Sequence, residues 1–245
     1  MKKRYKSFIA ITFTMLTLCG CTKSNKTIIR MQKLEEGIEK SPTTETELKE
    51  AITKYENRIA DMQIATGQVG IWYKMLAVRY LDAKMYGEAL KYFQKAIQIY
   101  PENQNLFYYV GLCAGYMAKA SLDFTASGGS STTDKYNYLK LSESAYLRAI
   151  EIEPKYGRAL YGLGILYVFE LDQSEKAIPH LEKLLSFDTR NFDAMFVLAR
   201  AYYMTGEYDK SASLYDKIAA QTKSDAKKQE ALANKKIVLD ASYSK

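Results

Sequence analysis

The reactive side chains of this chain are few, and they bound the chemistry open to it. His180 is the single histidine among 245 residues. It stands between Pro179 and Leu181, with no nucleophile and no orienting group patterned around it. A base without those two partners does not form a triad. Cys19, Cys21 and Cys113 share no metal-ligand spacing with histidine or with each other. Neither a G-x-G-x-x-G nor a Walker A sequence occurs. Gly128-Gly129 offers backbone N–H groups to an anion but lacks the lysine of a phosphate loop. No enzyme activity, no cofactor and no metal are therefore expected. Tyrosine, by contrast, is abundant, with 21 copies. Tyr beside Arg is a pairing that anchors protein contacts when both are desolvated, because Tyr buries a large ring while keeping one polar atom.

The positive charge is unevenly placed. The formal charge is +7, yet Lys2, Lys3, Arg4 and Lys6 fall within the first six residues and no acid precedes Glu35. Most of the excess is thus an address, and no nucleic-acid partner is expected. The apolar run from Phe8 to Leu18 is eleven residues long, whereas a membrane-spanning helix needs about 20. A basic start and a short apolar run fit a signal segment. The run closes in Leu18-Cys19-Gly20-Cys21, which resembles the bacterial lipoprotein signal of a Leu, two small residues and Cys. That resemblance implies cleavage of residues 1–20 and lipidation of Cys21 on its thiol and new amino group. It implies in turn an anchor in a bacterial cell-envelope membrane, held stably because two or more acyl chains are attached. Thr22 stands where inner-membrane members carry Asp, which is similar to members sorted to the periplasmic face of the outer membrane in cells with two membranes. Cys113 is then left alone, so no intrachain disulfide is expected. Its neighbours Val110, Leu112 and Met117 mark it as a small core hydrophobe.

With 13 Gly and 4 Pro the chain has too few turn formers for a many-stranded sandwich, and at 47% hydrophobic it can bury a core. Residues 21–44 read as anchor and linker. Thr44 followed by Glu47 is a capping box. It predicts a helix from about Glu45 to Met62, within an N-terminal segment 45–69, carrying Leu48, Ile52, Tyr55, Ile59 and Met62 on one stripe. A beat of about 34 residues follows. Tyr73-x2-Leu76-Ala77-x2-Tyr80, Ala89-x3-Phe93-x2-Ala96 and Pro101 form its first copy, with Gly87 in the turn. The second holds Phe107, Val110, Gly111, Ser142, Tyr146, Ala149 and Pro154. Leu160, Leu163, Gly164, Tyr167, Ala177, Leu181 and Leu184 form the third, and Met195, Leu198, Ala199, Tyr202, Gly206, Tyr208, Ser211, Tyr215 and Ile218 the fourth.

These residues resemble the tetratricopeptide repeat, W-x2-L-G-x2-Y, then A-x3-F, then P. The resemblance implies an all-α fold, a right-handed superhelical stack of helix pairs over 70–103, 104–156, 157–191 and 192–223. Residues 224–245 form a capping helix, expected to bear Ala231, Ile237 and Leu239. The second repeat departs from the pattern by an insertion at 121–138, expected to lengthen its helices and add a Gly/Ser tip. In such stacks the first helix of each pair lines the concave side. Counting along those helices also turns Val78, Leu81, Leu112, Ile165 and Asp193 to that side, with an expected partner-binding groove of Lys74, Tyr108, Tyr116, Arg158, Tyr161, Phe169, Phe196, Arg200 and Tyr203. Some family members clamp a terminal carboxylate with Lys and Asn. Here Lys74 is followed one turn on by Val78, so an amphipathic helix, an extended apolar peptide or a lipid-like molecule fits better.

The expected function is a membrane-anchored scaffold that binds a protein or peptide partner. The alternative expectation is an accessory lipoprotein of a solute transporter, since the chain loosely resembles the helical lipoproteins of tripartite ATP-independent transporters. These would bind an apolar ligand or a solute-binding protein, and the insertion would shape a cavity or a homo-oligomer contact.

Overall fold

A computed structural model describes residues 42–125 and 132–243 of the chain. The expected signal peptide, Cys21 and the Gly/Ser tip at 126–131 lie outside the described residues. Two compact units divide the chain, Met1–Asp61 and Met62–Lys245.

The first unit shows the start of helix α1, Glu45–Asp82. The capping box forms in both directions. The Thr44 N–H donates to Glu47 Oε2 at 3.2 Å, and the Glu47 N–H donates to Thr44 Oγ1 at 3.3 Å. The Thr43 N–H adds a bond of 2.9 Å to the same carboxylate. These backbone donors hold the Glu47 carboxyl below its usual range.

The N-terminal segment and the first helix of repeat 1 are one element of 38 residues, rather than two helices meeting near residue 70. Two glycines within it, Gly67 and Gly70, cost roughly 1 kcal/mol each relative to Ala in an open helix. Here they are covered. The Tyr100 hydroxyl donates to the Gly67 carbonyl at 2.7 Å, and a Cβ on Gly70 would sit 2.6 Å from the Tyr100 ring. Both glycines let a tyrosine from repeat 1 lie flat on the helix.

The second unit is a run of antiparallel helix pairs. The end of α1 pairs with α2, Tyr86–Ile99. Helices α3, Gln104–Thr125, and α4, Thr132–Ile152, form the second pair, longer than the others because of the insertion. The third consists of α5, Gly157–Ile165, running into a π-helical turn at Leu166–Glu170, and α6, Ser174–Phe187. Helices α7, Phe192–Met204, and α8, Tyr208–Gln221, make the fourth, closed by α9, Asp225–Tyr243. Among the described residues there is no strand. Many of the expected repeat residues are buried, Ala77, Ala89, Phe93 and Ala96 in the first pair and Leu163, Gly164, Ala177 and Leu181 in the third. Leu76 of the first copy is exposed and Tyr73 and Tyr80 are half-buried, because α1 has no repeat packed on its outer side there. Neighbouring pairs share their apolar faces, since no pair has enough area to stay dry alone.

Within the pairs, small residues set how closely the helices approach. Ser142 and Ser211 occupy the position where the first and third repeats use Ala89 and Ala177. Both are fully buried, and both hydroxyls bond the facing helix: Ser142 Oγ to the Gly111 carbonyl at 2.8 Å, Ser211 Oγ to the Ala199 carbonyl at 2.7 Å. Serine is tolerated there because its donor finds an acceptor at once. The turns also repeat. Lys84, Asp172 and Gly206 take positive φ values of 58°, 51° and 81° between the helices of pairs one, three and four. Gly87, expected in the first turn, lies inside α2, and Lys84 carries the left-handed strain instead. In α9 the core residues are Ala231 and Val238, while Ile237 and Leu239 face outward.

Candidate functional site

Tyr146 organises the junction of repeats 2 and 3. Its ring is almost fully buried against two glycines, one on each side. A Cβ at Gly111 or at Gly162 would come within 2.8 Å of that ring. The absence of side chains at both positions lets helices α3 and α5 close on one aromatic plate. Burial pushes the Tyr146 phenol well above its ordinary range, so it stays a neutral hydroxyl.

A pocket of about 260 Å³ opens over this plate. Tyr108, Leu112 and Tyr116 wall it from α3, Tyr161 and Ile165 from α5, and Ser142 and Tyr146 form part of its lining from α4. Lys119, Arg158 and Glu170 supply its charges. Tyr108 is held by a cluster of rings, with centroids 5.2 Å from Tyr109, 6.1 Å from Tyr146 and 5.9 Å from Tyr156, the last edge-on. Tyr156 is fixed in turn by a 2.8 Å bond from its hydroxyl to Asn105 Oδ1. Burial raises the Tyr108 and Tyr161 phenols as well, Tyr161 with help from the negative charge of Asp193. The walls are therefore neutral aromatic surface with hydroxyl edges, and the fixed charges are the two cations and one carboxylate. Such a pocket suits a large apolar or aromatic side chain with polar backbone around it.

The π-helical turn bears on the same site. By inserting an extra residue into the last turn of this helix, it places Glu170 on the pocket lining. Just beyond this turn, Gln173 Oε1 and Ser174 Oγ are buried without a hydrogen bond.

Four of the nine expected groove residues come together here: Tyr108, Tyr116, Arg158 and Tyr161. Arg158 and Tyr161 also border a second, more polar depression of about 400 Å³ that includes Asp188, Asn191 and Asp193. The other five do not line the pocket. Lys74 is half-buried on α1, and Phe169 is exposed on the π turn beside Glu170. Phe196, Arg200 and Tyr203 are used within repeat 4. Phe196 packs 6.0 Å from Tyr215, and the Arg200 guanidinium lies 5.5 Å over the Tyr203 ring, which itself packs 5.8 Å from Tyr208. The expected groove lacks Gly115, Lys119, Ser142, Tyr146, Gly162, Leu166 and Glu170, all of which line the pocket. In the repeat pattern Tyr146 and Ser142 hold core positions. Gly162 has no counterpart in the repeat pattern, which was the available signal that something must approach the helix there.

The remaining titratable candidates are structural. His180 is half-buried against the Tyr167 ring at 6.1 Å, and burial, with the charge of Lys183, lowers its pKa from the ordinary imidazole value. Tyr167 and Tyr202 donate hydroxyl bonds to Glu143 and Glu182, each on the second helix of the preceding repeat. Cys113 is fully buried and its thiol is pushed up to about 12. Among the described residues no cluster of His, Cys, Asp and Glu could hold a metal ion, and no helix is long and apolar enough to cross a membrane.

Comparison with known proteins agrees with this architecture. Profiles of the tetratricopeptide repeat match residues 71–103, 145–178 and 168–235. A relative described as a TPR repeat-containing protein, from Borreliella burgdorferi, is 22% identical over 225 residues, which is 91% of this chain and 94% of that one. Among solved structures, the fold is similar to YrrB, described as a TPR protein with an unusual peptide-binding site. That match has a TM-score of 0.54 at 18% identity, over 69% of this chain and 75% of that chain. It is also similar to MamA from Desulfovibrio magneticus RS-1, with a TM-score of 0.52 at 14% identity over 72% and 97%. Residues 71–103 and 145–235 of this chain are tetratricopeptide repeats, and the second unit is a tetratricopeptide-repeat solenoid.

Proposed function

We propose that this chain is a lipid-anchored interaction scaffold of the bacterial cell envelope, holding a protein partner through the pocket between repeats 2 and 3. The tetratricopeptide fold points to a protein–protein interaction scaffold in general. One fold relative is described as carrying a peptide-binding site, so a peptide site is compatible with this stack. The observation that carries the specific reading is the pocket itself, in which Tyr108, Tyr116, Arg158 and Tyr161 converge over a glycine-framed ring. Aromatic and Arg side chains in a preformed hollow are the residue types that concentrate binding energy. The anchor rests on Leu18-Cys19-Gly20-Cys21 after a basic start and a short apolar run.

Two separable experiments test the two halves. Membrane fractionation of a Cys21→Ala chain should move the protein out of the membrane pellet. An unchanged distribution removes the anchor. For the pocket, partners recovered from detergent extract by the wild-type chain should be lost with Tyr161→Ala and kept with Tyr203→Ala. Equal recovery by both variants removes the pocket, and recovery of a bound apolar small molecule in place of a protein replaces the scaffold with a ligand carrier.

A further inference from the structure

Helix α1 carries a feature that the repeat stack does not use. Leu48, Ile52, Tyr55, Ile59 and Met62 recur at spacings of four, three, four and three, and all five are between 38% and 69% exposed. That alternation is the heptad seam, with Ile52 and Ile59 at one core position and Leu48, Tyr55 and Met62 at the other. A strict spacing of 3.5 is narrower than the stripe by which a helix packs on a globular core, and it matches a partner that is itself a helix.

The flanking charges select among occupants. From Glu45 to Asp61 the helix has five acids (Glu45, Glu47, Glu50, Glu56, Asp61) and three bases (Lys49, Lys54, Arg58). A helix lying on an anionic membrane surface needs the opposite excess. Alongside the seam, Lys49 and Glu56 hold equivalent flanking positions one heptad apart. When two copies run antiparallel about the midpoint between Ile52 and Tyr55, four apolar layers form: Leu48 on Ile59, Ile52 on Tyr55, and their symmetric repeats. The same register sets Lys49 of each copy beside Glu56 of the other, twice. Sliding by one heptad instead opposes Glu56 to Glu56 and Arg58 to Arg58. Parallel in-register pairing stacks Tyr55 on Tyr55 and Ala51 beside Glu56, with no ion pair. Lys49 also bonds Glu45 at 2.6 Å within its own helix.

We infer that residues 48–59 of α1 pair antiparallel with the same segment of a second copy of this chain, in the register that joins Lys49 to Glu56. The segment is a homotypic contact and shares no residue with the pocket between repeats 2 and 3.

Disulfide trapping in the full chain tests this, with Cys19 and Cys21 replaced by Ser and Cys113 left in its buried place. A mixture of Ile52→Cys and Tyr55→Cys chains should cross-link under mild oxidation several-fold more than either variant alone. Introducing Lys49→Glu into both chains should lower the cross-linked yield by roughly five- to tenfold, since it turns two attractive contacts into two repulsive ones. Adding Glu56→Lys should restore it. Absence of cross-linking in the mixture overturns the pairing. Equal cross-linking by Ile52→Cys alone overturns the antiparallel register, and so does a yield that ignores both charge reversals.

Discussion

Repeat 2 against repeat 3 and repeat 4 within itself employ the same side-chain types to opposite ends. At the first junction Tyr108, Tyr116, Arg158 and Tyr161 stand around a hollow of about 260 Å³. In repeat 4, Phe196, Arg200 and Tyr203 are taken up by contacts with Tyr215, Tyr208 and each other. Glycine accounts for much of the difference. Gly111 and Gly162 let Tyr146 lie flat as a floor, so the rings above it need not fill the gap. The corresponding helix of repeat 4 presents Ala199 to Ser211 and Val197 to the core, and its aromatic side chains fold back onto their own repeat. A residue count along the first helices sees Tyr and Arg in both places. The glycines beneath one set, and the aromatic partners Tyr215 and Tyr208 beside the other, go with which set lines a hollow.

The sharpest way to break this contrast is to remove the floor. Tyr146→Ala is expected to cost about 3–5 kcal/mol, as other aromatic truncations in packed cores do. Tyr161→Ala, in the half-exposed wall above, should cost about 1 kcal/mol or less. Chemical denaturation of the two variants checks the ratio. If both cost the same, the wall is core and not site.

Gly162→Ala tests the frame from the other side. Its Cβ would meet the Tyr146 ring at 2.8 Å, and a Cβ at Gly111 would meet the same ring at 2.8 Å. An overpacking penalty of about 1–3 kcal/mol is expected, accompanied by loss of partner recovery. Retention of both stability and binding would show that the floor shifts freely.

A gentler comparison runs through the turns. Lys84 and Gly206 stand at equivalent places with φ of 58° and 81°. A left-handed conformation costs a non-glycine residue roughly 1–2 kcal/mol. Lys84→Gly should therefore raise Tm and Gly206→Lys lower it, by a similar amount in opposite directions. Movement of both in one direction would contradict the strain argument.

The smallest effect concerns acid. Burial pushes the Glu143 carboxyl up. The bonds from Lys140 at 3.0 Å and from the Tyr167 hydroxyl at 2.9 Å, with the charges of Lys140 and Lys176, outweigh that and hold it below its usual range. A carboxyl lower in the folded chain than in the unfolded chain, where it titrates near about 4.3, stabilises above that pH. The contribution is lost as pH falls through the folded value. Glu143→Gln should thus remove part of the fall in Tm on acidification below about pH 4.3 and leave the slope above pH 6 unchanged.

How much of this could be read from residues alone follows from what each signal encodes. The repeats were legible because Leu, Ala, Phe and Tyr at fixed offsets report which faces must be dry. The capping box of Thr44 and Glu47 was legible because it is local, complete within four residues. The continuity of α1 through Gly67 and Gly70 was not, since it depends on Tyr100, thirty residues away, covering both glycines. The same holds for the turn in which Lys84 does a glycine's work, and for the π turn that puts Glu170 into the pocket lining. In the site, types were readable and direction was not. Arg158 and Arg200 lie on the same face of their helices, about two turns apart in register, and packing decides that the first lines the pocket while the second lies over Tyr203.

Site-specific photocrosslinking in living cells puts the pocket to the most direct test. A photoreactive phenylalanine analogue placed at position 161 should give a discrete adduct with a protein partner, and the same group at position 203 should give none at equal expression. An adduct from position 203, or silence at 161 while the chain remains folded, would contradict the claim that the junction of repeats 2 and 3 is where this scaffold holds its partner.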